Sequence, residues 1–298
     1  MKFQVNKDVL SDAVSFAVRV LPQRGMQQIL NGILIEADAN ALRLSVFDYR
    51  VSAQVETVAK VEEKGRVLVS ARFLSDIVNR LANAPVEVTL DGRKLLVSCG
   101  TTNFTMPTMD VDQYPQLPEL PAASGTISGE VFSEVLGQVG VAAGKDESAA
   151  MLTGILMETT KSTISLYATD RYRIAAAEVA WNGKVEGISA LVPAKVLSDI
   201  GKTFGNASEV EIGFSQDNDG GMVSFKANNR SVTTQLLKDK FPPVKTIFPE
   251  GELDNCVFTT QDLIESTKRI SLMVVGENGI DFHFEENEIR MDAVSQEL

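Results

Sequence analysis

The chain has 298 residues, 44% of them apolar and 23% charged, with a formal net charge of −12. That length predicts about two domains at the usual ~150 residues each, with enough apolar surface for a real core, and the acidity excludes a protein that coats nucleic acid by bulk charge. No apolar run nears the ~20 residues that span a bilayer, and "MKFQVNKDVL" holds no basic-then-apolar leader, so a soluble cytoplasmic chain is expected.

The first predicted element is a helix over 7–24, where Leu10, Ala13, Val14, Ala17 and Leu21 recur at helical spacing. Strands follow in "LRLSVF", "VSAQVE", "VEVTL" and "LLVSC", whose period-two alternation buries one face, and Asp91-Gly92 predicts a tight hairpin between the last two. A second helix, 70–83, places Phe73, Leu74, Ile77, Val78 and Leu81 on one side. Helices over 128–147, with Phe132, Val135, Leu136 and Val139, and over 193–205, with Leu197, Ile200 and Phe204, repeat the arrangement. Pro193 suits a first helical turn, and a fifth helix is predicted over 260–270. The fold class is α+β, in tandem units of two helices packed on antiparallel sheet.

The units are copies. "LNGILIEADANALRLSVFDYRVS" and "LTGILMETTKSTISLYATDRYRI" match at Leu30/Leu152, Gly32/Gly154, Ile33/Ile155, Leu34/Leu156, Glu36/Glu158, Leu44/Leu166 and Asp48/Asp170, at one offset of 122 (170 less 48). "VLVSARFLSDI" and "ALVPAKVLSDI" repeat at nearly the same spacing, which makes this a whole-domain duplication. Aromatic-proline pairs in "DQYPQLPEL" and "DKFPPVKTI" mark the linkers, because the residue before proline is forced extended. A weaker third copy begins near Cys256, with Gly279 and Arg290 answering Gly32 and Arg43. The expected domains are 1–121, 122–250 and 251–298, the last holding only the first part of a repeat.

The five predicted helices carry ten basic and ten acidic residues, so the whole negative excess lies outside them. Cations gather near helix C-termini at Arg19, Arg24, Arg80, Lys202, Lys268 and Arg269. Compensation of the helix dipole accounts for any one of them; its recurrence in successive copies also fits a helix surface turned towards phosphates, holding them by weak, salt-sensitive attraction without sequence preference.

"MKF", "ILNGILIE", "LTGILMETT", "ATDRYRIA", "LVPAKVL" and "FPPVKTIFP", in this order along the chain, resemble the bacterial DNA polymerase III beta subunit, the replicative sliding clamp family. The resemblance implies three such domains per subunit and two subunits closed head to tail around duplex DNA, with helices inside and sheets outside. It implies no catalysis and no cofactor, and as partners double-stranded DNA, the polymerase III alpha subunit, the clamp loader and other proteins with clamp-binding motifs. Carried over by position, it assigns DNA contacts to Arg24, Arg72, Arg80, Lys195 and Lys202. A partner-peptide pocket falls to Leu152, Thr169, Tyr172, Arg173, Ile174, Pro242, Thr246 and Ile247, although Leu152, Ile174 and Ile247 also read as core and Pro242 as a turn. Leu272 and Met273 match the subunit interface or are core at a helix end. Ala150 and Met151 stand where some clamps have two tyrosines, which argues against stacking on an exposed strand there. The stop at Leu298 leads to the expectation of a monomeric or weakly associated chain that binds partners poorly. Apart from the resemblance, a repeat-built protein-binding scaffold without nucleic acid remains the other reading.

Other signals fail on their chemistry. "DIGKTF" imitates a phosphate loop, but the required glycine is Val196. His283 is the only histidine and alternates within a predicted strand, and Cys99 and Cys256 have no metal-ligand spacing and read as ordinary buried or half-buried thiols. Asp48 and Asp170, equivalent under the repeat, read as a duplicated turn that accepts backbone hydrogen bonds.

Overall fold

Strand β1 (Lys2–Asn6) runs directly into helix α1 (Lys7–Val20) because the Asn6 side chain accepts the amide of Asp8, ending the extended run and satisfying an orphan donor of the first turn. In the computed structural model, residues 1–21, 27–215, 221–248, 255–275, 278–286 and 288–293 are described. α1 buries Leu10, Ala13, Val14, Phe16 and Ala17 and ends earlier than predicted, with Leu21 extended. The first repeat continues through β2 (Gly32–Asp38), β3 (Ala41–Phe47), β4 (Val51–Val58), β5 (Lys60–Glu63), β6 (Gly65–Ser70), α2 (Ala71–Arg80), β7 (Pro85–Asp91), β8 (Lys94–Cys99) and β9 (Thr102–Met109). The β7–β8 hairpin turns at Gly92, whose φ of +57° is the conformation glycine allows freely.

The second repeat has the same order: β10 (Ala123–Ile127), α3 (Gly129–Gly140), β11 (Gly154–Thr159), β12 (Thr163–Thr169), β13 (Ile174–Ala180), β14 (Asn182–Gly183), β15 (Ser189–Pro193), α4 (Ala194–Phe204), β16 (Val210–Ser215), β17 (Met222–Ala227) and β18 (Arg230–Gln235). α3 is a turn and more shorter than the predicted 128–147. Gly137, Gly140 and Gly144 weaken helix there, the Gly144 amide donates to the Leu152 carbonyl at 2.7 Å, and Asp146 caps a new 3-10 turn, Glu147–Thr153. Pro193 closes β15 opposite Gly154, so α4 starts one residue later than Pro193. The shared glycine of "NGIL" and "TGIL" has a packing cause. A Cβ on Gly32 would lie 2.7 Å from Leu68 Cδ1, and one on Gly154 2.7 Å from Leu191 Cδ1.

The copies are fused through their sheets. β18 pairs antiparallel with β4, from Arg230↔Val55 to Thr234↔Val51, giving a sheet in the order β14-β10-β16-β17-β18-β4-β3-β2-β6-β9-β8-β7-β1-β5. The second repeat's remaining strands form a four-stranded sheet, β13-β12-β11-β15. One apolar core extends through both repeats, from Phe3 and Leu10 to Phe132 and Phe225. At the joint the Glu56 amide donates to the Asn229 carbonyl at 3.0 Å. Arg230 pairs with Asp12 and lies 5.2 Å from the Phe16 ring centroid, and that ring in turn packs on Phe204 at 6.4 Å.

Residues 1–245 form one compact unit and 246–298 another. The second contains α5 (Thr260–Ser271) and the hairpin of β19 (Ile280–Glu285) and β20 (Glu288–Ala293). No residue of α5 is buried; Thr267 Oγ1 lies 3.8 Å from Met291 Sδ. Cys99 is buried as expected, but Cys256 is exposed, since its segment has no regular structure and no core to enter. His283 stands on β19 with Nε2 3.2 Å from Asp292.

The Arg230 contacts combine a partly exposed ion pair and a cation–π contact, together about 1 kcal/mol. Arg230→Ala is expected to lower the melting temperature by about 2–4 °C, read by thermal denaturation; a melt identical to that of the unsubstituted chain would show that the joint does not use it.

Candidate DNA-facing helices and peptide groove

Each repeat turns between its third and fourth strands on an aspartate. The amides of Arg50 and Val51 donate to Asp48 Oδ1 at 2.9 and 2.7 Å, and those of Tyr172 and Arg173 donate to Asp170 Oδ1 at 3.1 Å each. Tyr49 (φ 72°) and Arg171 (φ 83°) take the left-handed conformation at equivalent positions. A bulky residue there is strained and persists because the aspartate bonds fix its neighbours.

In the second repeat this turn borders an apolar surface. Thr169 Oγ1 donates to the Arg173 carbonyl at 2.8 Å and accepts the Arg171 amide at 3.2 Å, which folds the hydroxyl onto its own turn. Arg173 Nε also donates to Asp170 Oδ2 at 3.0 Å. Burial alone would raise the Asp170 carboxyl, but the amides of Arg173 and Tyr172 and the guanidinium outweigh it and hold the group below the usual aspartate range. Beside the turn, Leu191, Phe241 and Val244 are buried, with Met151, Leu156, Tyr167, Ile174 and Leu237 half-buried around them. Lys245 extends over the Tyr167 ring at 5.1 Å and pairs with Glu158, which raises its pKa.

The structure thus brings Thr169, Tyr172, Arg173 and Ile174 together at one end of an apolar cluster. Tyr172 is 93% exposed, and Pro242 is half-buried in the segment between Phe241 and Val244. Leu152 is buried, as its alternative reading as core had it. Thr246 and Ile247 are exposed and belong to the second unit. Sequence reasoning does not place Leu156, Tyr167, Leu191, Phe241, Val244 and Lys245 beside this turn, where the structure puts them. The signal for them is Phe241-Pro242, read only as a linker mark, and strand alternation, which puts Tyr167 and Thr169 on one face.

The cations sit on a row of helices. α2 packs on α1 and α4 on α3, and α1 meets α4 where Arg19 Nη1 donates to Thr203 Oγ1 at 3.3 Å. Arg72 and Arg80 on α2 and Lys195 and Lys202 on α4 are exposed. Arg24 lies outside the described residues. Within their observed bounds the helices still carry equal numbers of basic and acidic residues. Leu272 (83% exposed) and Met273 (59%) follow the end of α5, which removes their reading as core. A cavity of about 1070 Å³ lies between the repeats, where Arg19, Asp48, Lys145, Lys195, Asp199 and Lys238 line it. Its mixed charge selects no ligand class, and of the apolar cluster beside the turn it shares only Leu237. Among the described residues no group of His, Cys, Asp and Glu could hold a metal ion, and no helix is long and apolar enough to cross a membrane.

The family model for the DNA polymerase III beta subunit, N-terminal domain, matches residues 1–118, and that for its central domain matches residues 126–243. The chain belongs to the DNA polymerase III beta subunit family. The beta sliding clamp of Streptomyces coelicolor is 40% identical over 300 residues, covering 100% of this chain and 80% of that protein. That of Micrococcus luteus is 40% identical over 295 residues, covering 98% and 94%. In fold, the beta subunit of Streptococcus pyogenes DNA polymerase superposes with a TM-score of 0.90 at 22% identity, covering 100% of this chain and 81% of that one. These likenesses agree with a clamp built from tandem α+β units.

The depressed Asp170 pKa fixes the sign of the acid response of the turn. Its contribution is complete above the ordinary aspartate value of ~3.9 and is lost as pH falls through the lower folded value. Amide exchange at Tyr172 and Arg173, corrected for intrinsic rates, is expected to stay slow down to about pH 4 and to quicken below it; Asp170→Ala is expected to quicken it above about pH 4 and to converge with the unsubstituted chain at lower pH.

Proposed function

We propose that this sliding clamp encircles duplex DNA without catalysing a reaction and holds the replicative polymerase, the clamp loader and other motif-bearing proteins to it. The observation that carries the reading is the β18–β4 pairing: the last strand of one repeat completes the sheet of the repeat before it and lines up four helices in one row. β13 holds in the second repeat the place of β4 in the first, and it is an end strand of its sheet. The successive clamp domains are 1–121, 122–250 and 251–298, the last holding the first part of a repeat. A head-to-tail second copy would then close the ring, with Leu272 and Met273 at the contact.

Inside the ring, Arg24, Arg72, Arg80, Lys195 and Lys202 attract phosphates. Such contacts are few and read no bases, so the protein slides. Outside it, the partner peptide lies on Leu152, Thr169, Tyr172, Arg173, Ile174, Pro242, Thr246 and Ile247, with leucine or phenylalanine anchors supplying most of the affinity. The working compartment is the cytoplasm.

Loading onto nicked circular DNA followed by gel filtration tests the reading. Retention on the circle and loss after linearisation are expected; equal behaviour on both forms would leave a protein-binding scaffold. Replacing Arg80 and Lys202 together by alanine is expected to weaken retention and lower the salt slope of DNA binding by about 1–2, at roughly 0.9 for each phosphate no longer neutralised.

A further inference from the structure

The apolar cluster of the second repeat has a counterpart in the first. Leu34, Phe47, Leu68 and Tyr114 form a buried cluster with Ile29, Met109, Val111 and Leu117 half-buried around it. Under the repeat, Leu34 answers Leu156, Leu68 answers Leu191, Tyr114 answers Phe241 and Leu117 answers Val244. The linker after each repeat therefore lies on the same face of the same strands. Two positions differ in kind. Phe47 answers Thr169, and Tyr114 carries a hydroxyl that Phe241 lacks.

Both differences change what covers the cluster. Phe47 packs on Tyr49 with ring centroids 5.6 Å apart, whereas the smaller Thr169, also buried, turns its hydroxyl back to the Arg173 carbonyl. The Tyr114 hydroxyl accepts the Phe47 amide at 2.7 Å and lies 3.4 Å from the carbonyls of Gly32 and Phe47. Burial pushes that hydroxyl up to about 12, so it remains a donor at any physiological pH. Phe47 pairs across its hairpin with Ser52, and Thr169 with Ile174, in the same register, so the Thr169 amide stands where that of Phe47 does. No hydroxyl on Phe241 is there to meet it.

We infer that the first repeat holds the peptide groove in closed form, Phe47 filling the space that Thr169 leaves and Tyr114 latching the linker over it, so that a docking peptide finds one site per chain. This rests on the peptide-groove reading above. Phe47 and Thr169 are thus the residues that choose which repeat receives a partner, and the hydroxyl at 114 is a latch whose absence at 241 lets the second linker yield.

Grafting the lock onto the second repeat tests this, since opening the first repeat with Phe47→Thr leaves a core cavity and can unfold the chain. The probe is a fluorescein-labelled peptide with leucine and phenylalanine anchors, titrated by anisotropy. The unsubstituted chain is expected to bind one peptide. Phe241→Tyr, which adds one oxygen and removes no contact, is expected to weaken binding and to slow exchange of the Thr169 amide. Phe241→Tyr with Thr169→Phe is expected to lose about tenfold or more in affinity, with an equal or higher melting temperature. Tyr114→Phe is expected to speed exchange of the Phe47 amide. Unchanged affinity in the double variant, unchanged exchange at Thr169 in Phe241→Tyr, or two peptides on the unsubstituted chain would each overturn the inference. If the unsubstituted chain binds no peptide, the groove reading fails, and exchange at Phe47 and Thr169 still decides whether the lock exists.

Discussion

The pairing of β18 with β4 is the constraint on which the first 245 residues depend. It joins an edge strand of one duplicated unit to an edge strand of the other, five residue pairs long, so that neither edge is left to aggregate. Because strand pairing fixes register, it also fixes how α1 meets α4. The Arg19–Thr203 contact, the Phe16–Phe204 pair and the Arg230 contacts to Asp12 and Phe16 follow from that register. A unit that docked only by apolar contact could rock; one that shares a sheet carries its curvature into the next.

Much of the fold is legible in the sequence because the two repeats report on each other. Asp48 and Asp170 are separable from a catalytic pair by their equivalence, and both accept the amides of the turn that follows. The Asp91-Gly92 hairpin and the apolar faces of the helices are legible from local chemistry alone. Helix ends are not. The 128–147 stretch keeps helical spacing past Gly140, but the chain leaves the helix so that the Gly144 amide meets the Leu152 carbonyl, a contact that helical periodicity does not announce.

The groove is legible only in part, for a related reason. Thr169, Tyr172, Arg173 and Ile174 are contiguous or nearly so and travel together as a motif. Leu156, Leu191, Phe241 and Val244 come from separate strands and a linker, and each looks like ordinary core when read singly. Leu152 is buried, in keeping with its reading as core. The exposed Cys256, Leu272 and Met273 belong to a unit whose helix buries nothing, and there apolar character predicts burial wrongly.

The aspartate turn has an evolutionary side. A turn held by glycine in the left-handed position must keep its glycine, and any drift there breaks it. Here the Asp48 and Asp170 side chains hold the geometry and the strained positions are Tyr49 and Arg171. One carboxylate thus holds the backbone in both copies although "DYRV" differs from "DRYR" in the residues that follow it. The turn is a socket in which new specificities can be tried at little structural cost.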